Sequence, residues 1–68
     1  MKEFGKRFAG LRLEKNLTRK QVAETLGVSV RLISYWENGE RECDFNTLIK
    51  ICELFSVSAD YLLGITDY

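Results

Sequence analysis

The residues of this chain that can do chemistry are cations and hydroxyls, because the groups most enzymes rely on are missing. There is no His among the 68 residues. Nor is there a phosphate-cradling glycine loop, or a pair of carboxylates at helical spacing that the pattern would bury to act as acid and base. An enzyme is therefore not expected. What remains is ten Lys/Arg and a scatter of hydroxyls, among them Arg31 with Ser29, Ser34 and Tyr35 nearby in the chain, and an earlier trio, Thr18-Arg19-Lys20. Arginine is a rigid fork of donors that suits paired acceptors such as guanine O6 and N7. Cys43 and Cys52 lie nine positions apart, and without a histidine they assemble no zinc-ligand spacing. No metal and no cofactor are expected. Cys52 falls on an apolar helical stripe, whereas Cys43 falls in a polar loop that would leave it exposed.

These residues need elements to position them, and the pattern is helical throughout, with a period of three to four and no alternating strand. A first helix is expected over residues 2–15, with Phe4, Phe8 and Leu11 on one stripe and Asn16 as its stop. Thr18 opens the second helix, and Gln21 three residues on completes a capping box. Leu17 and Val22 form the matching hydrophobic staple, and Val22, Ala23 and Leu26 face inward. Gly27 stops this helix in the left-handed conformation a glycine adopts freely. Ser29 opens a third helix, with Ile33 and Trp36 inward and Val30, Arg31, Leu32, Ser34 and Tyr35 outward. Trp36 shares the stripe of Ile33, so it reads as core rather than as a base-stacking ring. Asn38-Gly39 closes the third helix. Asp44 caps a fourth running to about Phe55, with Leu48, Ile51, Cys52 and Phe55 inside. Ser58 caps a short fifth in which Tyr61, Leu62 and Leu63 dock before Gly64. The expected fold is all-α, a compact bundle of five short helices in one domain, residues 1–68. Two short helices around a tight glycine turn make a helix-turn-helix, whose second helix can enter a DNA major groove.

The formal net charge is zero, which by itself gives no pull toward nucleic acid. The charges are segregated, however. Residues 1–36 carry eight Lys/Arg and three acids, and residues 37–68 carry two Lys/Arg and seven acids. The basic half coincides with the helix-turn-helix, and phosphate attraction depends on the local patch. No apolar run approaches the roughly 20 residues of a membrane span. The Met-Lys-Glu-Phe-Gly-Lys-Arg start is too polar for a signal-peptide core, so the cytoplasm is the expected address.

Four segments in order carry a resemblance that extends over nearly the whole chain. They are Leu17-Thr18-Arg19-Lys20-Gln21-Val22-Ala23, Leu26-Gly27-Val28-Ser29, Ile33-Ser34-Tyr35-Trp36-Glu37-Asn38-Gly39 and Val57-Ser58-Ala59-Asp60-Tyr61-Leu62-Leu63-Gly64. On these the chain resembles the phage-repressor/Cro-like helix-turn-helix family of DNA-binding regulators. The resemblance implies a transcriptional regulator, most simply a repressor, that binds a palindromic operator on double-stranded DNA as a homodimer. It implies base reading by Ser29, Val30, Arg31, Ser34 and Tyr35. Phosphate contacts would come from Thr18, Arg19 and Lys20 and from the amides of Asn38 and Gly39. It further implies a partly buried ion pair between Arg12 and Glu37, joining the first helix to the end of the third. Glu40, Glu42 and Asp44 stand where relatives often carry basic residues, so no DNA contact is implied beyond Gly39. The acidic half would hold the pairing surface, near the last two helices and residues 65–68. A second class of function is a helical adaptor or antirepressor that binds protein through that half; an antirepressor or a toxin is the further protein partner to consider.

Overall fold

The computed structural model describes residues 2–68, with side chains from Glu3 onward. Its elements are α1 (Lys2–Glu14), α2 (Arg19–Leu26), α3 (Val30–Glu37), α4 (Phe45–Phe55) and α5 (Ala59–Leu62), with no strand among the described residues. Each helix after the first starts at a side-chain cap. Thr18, Ser29, Asp44 and Ser58 each accept a hydrogen bond from the amide three residues on. At Thr18 the capping box is complete, because Gln21 Oε1 also accepts the Thr18 N–H at 2.8 Å. Such a cap satisfies donors that a helix start would otherwise leave orphaned. The Asp44 carboxyl is held below its ordinary pKa chiefly by the hydrogen bond from Thr47.

Helix ends depend on positive φ. Gly27 (φ 73°) lets the chain turn between α2 and α3. α1 ends at Glu14, one residue before the expected bound at residue 15, and Asn16 is its stop: it takes φ 57°, and Leu17 N–H returns to the Arg12 carbonyl.

The core is aromatic at its centre. Phe8 lies edge-on to both Trp36 and Phe55, with centroids 5.7 and 5.9 Å apart, and Phe4 stands 5.8 Å from Phe8. Tilted and edge-to-face pairs of this kind add to the burial of apolar area. Leu11, Val22, Ala23, Leu26, Ile33, Ile51 and Leu62 complete it. α1 approaches the end of α3 so closely that a Cβ on Gly5 would collide with the Trp36 carbonyl. Only glycine permits that contact, and it sets how α3 sits on the scaffold.

Several side chains lie elsewhere than the periodicity places them. Leu32, expected outward, packs partly against the core, and so does Cys43, expected exposed. Burial pushes the Cys43 thiol up to about 11. Leu48 and Cys52 are only partly buried, and Leu63 stays outside the core cluster. Arg7 ties the end of the chain to α1. It donates to the carbonyls of Tyr61 (3.0 Å) and Thr66, stacks 4.6 Å over the Tyr61 ring and reaches Asp67 at 3.4 Å.

Candidate nucleic-acid interface

α3 presents one face to the core and the other to solvent, and the division follows from its eight residues. Ile33 and Trp36 are buried, while Val30 and Arg31 are exposed and Ser34 and Tyr35 partly so. Arg31 makes no hydrogen bond or ion pair among the described residues, so its whole donor fork is available. The two serines are partly engaged. Ser29 Oγ accepts the Leu32 amide at 3.1 Å as the helix cap. Ser34 Oγ donates to the Val30 carbonyl at 3.3 Å.

Tyr35 brings in a residue that the sequence pattern did not single out. Its carbonyl accepts the N–H groups of Glu40 (2.8 Å) and Arg41 (3.3 Å), curling the loop back over α3. The Arg41 guanidinium then lies 4.9 Å from the Tyr35 ring centroid, a cation–π stack. Ser29, Arg31, Leu32, Tyr35 and Arg41 line one open groove. The structure therefore adds a second cation beside Arg31, beyond Gly39, where none was implied. No helical spacing connects Arg41 to Tyr35, and only the folded loop does so.

A second groove lies where α1 ends and α2 begins, lined by Arg12, Leu13, Asn16, Leu17, Thr18, Arg19 and Lys20. Thr18 has its hydroxyl and amide committed to the capping box. The amides of Arg19 and Lys20, in the first turn of α2, have no acceptor among the described residues. Free first-turn amides and a positive helix end suit a phosphate. Lys20 is exposed and unpaired, whereas Arg19 donates through Nε to Glu37 Oε1 at 3.0 Å.

Asn38 and Gly39 line a third groove with Lys6 and Glu37. Their amides are engaged within the chain, Asn38 N–H with the Ser34 carbonyl and Gly39 N–H with that of Trp36. The donor that this pair can turn outward is Asn38 Nδ2, which sits 3.3 Å from Glu40 Oε1. Lys6, exposed on α1, is a further cation here.

Behind these grooves lies a buried ion pair. Arg12 meets Glu37 side-on, Nε to Oε2 at 2.7 Å and Nη2 to Oε1 at 3.1 Å. Its remaining Nη1 donates to the Leu17 carbonyl at 2.9 Å. With side-chain exposures of 11% for Arg12 and 3% for Glu37, both charges are taken from water, and a fork-on-carboxylate geometry is what makes such burial tolerable. The pair joins α1 and the α1–α2 turn to the end of α3. Among the described residues, no group of three or more His, Cys, Asp or Glu could hold a metal. Among the described residues, no helix is long and apolar enough to cross a membrane.

A sequence model of the helix-turn-helix family matches residues 9–62. The HTH-type transcriptional regulator ImmR of Bacillus subtilis (strain 168) is 40% identical over 60 residues, 88% of this chain and 47% of that protein. The HTH-type transcriptional activator BcrR of Enterococcus faecalis is 44% identical over 62 residues, 91% of this chain and 30% of that protein. Among solved structures, a transcriptional regulator from Listeria innocua superposes with a TM-score of 0.85 at 34% identity. That match covers 90% of this chain and 57% of the other. The chain thus spans about half the length, or less, of these relatives. With two capped helices around Gly27 and a model that covers most of its length, the chain belongs to the Cro/C1-type helix-turn-helix family.

Proposed function

We propose that this chain is a sequence-specific DNA-binding regulator of transcription, working in the cytoplasm, that lays α3 in the major groove. The observation that carries the reading is the solvent face of α3. Arg31 is unpaired there, between Val30, Ser34 and Tyr35, on a helix whose other face is locked into the core. In this reading Arg31 takes guanine O6 and N7, and Val30 meets a thymine methyl. Ser29, Ser34 and Tyr35 contribute hydroxyls at base edges or sugars. Thr18, Arg19 and Lys20 at the start of α2, with Asn38 Nδ2 beside Gly39 after α3, flank the backbone and fix the register.

The simplest regulatory outcome is repression, because a protein that occupies an operator excludes others from it. A single reading helix covers one half-site, and two-fold pairing would set two such helices about 34 Å apart, one turn of B-DNA. Exposed apolar residues on α4 support a pairing surface in the acidic half: Phe45 is 84% and Ile49 56% exposed, one helical turn apart. Isolated exposed apolar residues are ordinary, and this pair is the apolar area that α4 offers to a partner copy. So small a face favours a weak dimer that tightens on DNA.

Selection of bound sequences from a random duplex pool tests the reading. The expected product is a palindrome with half-sites about one turn apart, and sedimentation should show two chains on it. A pool that stays random would remove the DNA reading and turn attention to α4 as a docking face for a toxin or antirepressor. A selected but asymmetric site, occupied by one chain, would remove the dimer alone.

A further inference from the structure

Glu37 does more than neutralise Arg12. Its Oε1 is shared between Arg12 Nη2 at 3.1 Å and Arg19 Nε at 3.0 Å, so one buried carboxylate holds two arginines from two helices. Their exposures differ. Arg12 is enclosed, whereas the Arg19 side chain is 45% exposed, and Nε is its one donor engaged among the described residues. Both terminal amino groups of Arg19 remain unbonded, beside the unpaired amides of Arg19 and Lys20 at the start of α2.

We propose that Glu37 is a positioning residue for phosphate contact, gripping Arg19 by Nε so that its two terminal amino groups are set for a DNA phosphate. The inference rests on the DNA-binding reading above. An arginine side chain ordinarily gives up much rotamer freedom on binding. Here that loss has already been taken in the fold, so binding needs less ordering. The three charges carry a net +1, with the carboxylate buried behind Arg12, so an approaching phosphate meets cation rather than anion. Lysine at position 19 would supply the charge but not the geometry. A single ammonium has no separate edge with which to hold Glu37 while offering a fork outward. The grip also spans α2 and the end of α3, so the phosphate contact and the reading helix would move as one body.

The test is a titration of the selected duplex, over a range of salt, with the wild-type chain and with Arg19→Ala, Arg19→Lys, Glu37→Gln, Lys20→Ala and the Arg19→Ala/Glu37→Gln double variant. Denaturation curves establish that each is folded at the assay temperature. Arg19→Ala should weaken binding about tenfold and flatten the salt dependence by about 0.9 in log–log slope, one phosphate contact. Arg19→Lys should keep the slope and still lose severalfold in affinity. Glu37→Gln should weaken binding in the wild-type background and have no further effect once Arg19 is alanine. If Glu37→Gln is unfolded, the Arg19→Lys result decides the matter alone. Wild-type affinity for Arg19→Lys would overturn the inference. Tighter binding by Glu37→Gln would also overturn it, since Glu37 would then compete with phosphate for Arg19. Unchanged binding by Arg19→Ala and Lys20→Ala together would instead remove the phosphate reading at the start of α2.

Discussion

The amino-terminal and carboxy-terminal halves of this molecule carry opposite charge, and they use it differently. In the basic half, cations divide into those consumed by the fold and those left to solvent. Arg7 is bound to the last turns of the chain and Arg12 to Glu37. Arg31 and Lys20 are exposed and unpaired. In the acidic half, Glu37 is buried as a counter-ion, Asp44 caps α4 and Asp67 pairs with Arg7. That half leaves Glu40, Glu42, Glu53 and Asp60 outward, and among them the exposed apolar residues Phe45, Ile49, Ile65 and Tyr68. A charge count therefore overstates the basic patch, and the free positive charge concentrates where α2 starts and α3 faces out. In the proposed reading the basic face meets DNA and the apolar face of α4 a partner copy.

The sharpest break in this comparison is at Arg12. Arg12→Ala strands the Glu37 carboxylate with only the half-exposed Arg19 as partner, and should cost about 3 kcal/mol of stability. Chemical denaturation measures this, and a loss within about 0.5 kcal/mol, ordinary for a surface change, would mean that the pair is solvated. Arg31→Ala should do the reverse. Stability should hold within about 0.5 kcal/mol, while specific binding loses about 1–3 kcal/mol and preference relaxes at one base pair per half-site. A binding-site logo unchanged by Arg31→Ala would displace α3 as the reading helix.

The difference between those two arginines shows how far local pattern reaches. Caps, turns and stripes are local, so Thr18, Ser29, Asp44, Ser58 and Gly27 announce α2 to α5, and the Phe4, Phe8 and Leu11 stripe announces α1, before any packing is known. The placement of Ile33 and Trp36 inward and Arg31 outward follows from the helical period. Tertiary contacts are another matter. Gly5 carries no local signal, because its role comes from the Trp36 carbonyl across the interface. Arg41 reaches Tyr35 only because two amides fold the loop onto one carbonyl. Arg19 and Lys20 are adjacent and equally charged, yet only Arg19 lands beside Glu37, eighteen residues on. The engaged amides of Asn38 and Gly39 likewise depend on how α3 ends, which composition does not specify.

The apolar face of α4 offers a milder test of the same contrast. Phe45→Glu should leave the fold intact, since the ring is exposed. It should also leave binding to a single half-site unchanged. On a two-half-site duplex it should remove about 1 kcal/mol of cooperative pairing. Sedimentation with one- and two-site duplexes separates these outcomes. Cooperativity that survived the substitution would place the pairing surface elsewhere, with residues 65–68 the next to test.

The smallest effect belongs to Cys43, half-buried between Glu42 and Asp44 in the acidic half. Burial, with further contributions from Asp44, Cys52 and Glu42, raises its pKa from 9.0 to about 11. The folded chain therefore holds this proton more tightly than the unfolded chain does. Stability linked to it is intact below pH 9 and declines as pH rises toward 11. At pH 8 the thiolate that reacts with alkylating reagents is scarcer than in an ordinary cysteine. Iodoacetamide should then label Cys43 more slowly in the native chain than after denaturation. Labelling at equal rates in the two states would show that the loop leaves its resting place against the core. It would also uncouple Arg41, two residues earlier, from the Tyr35 ring that holds it beside the reading helix.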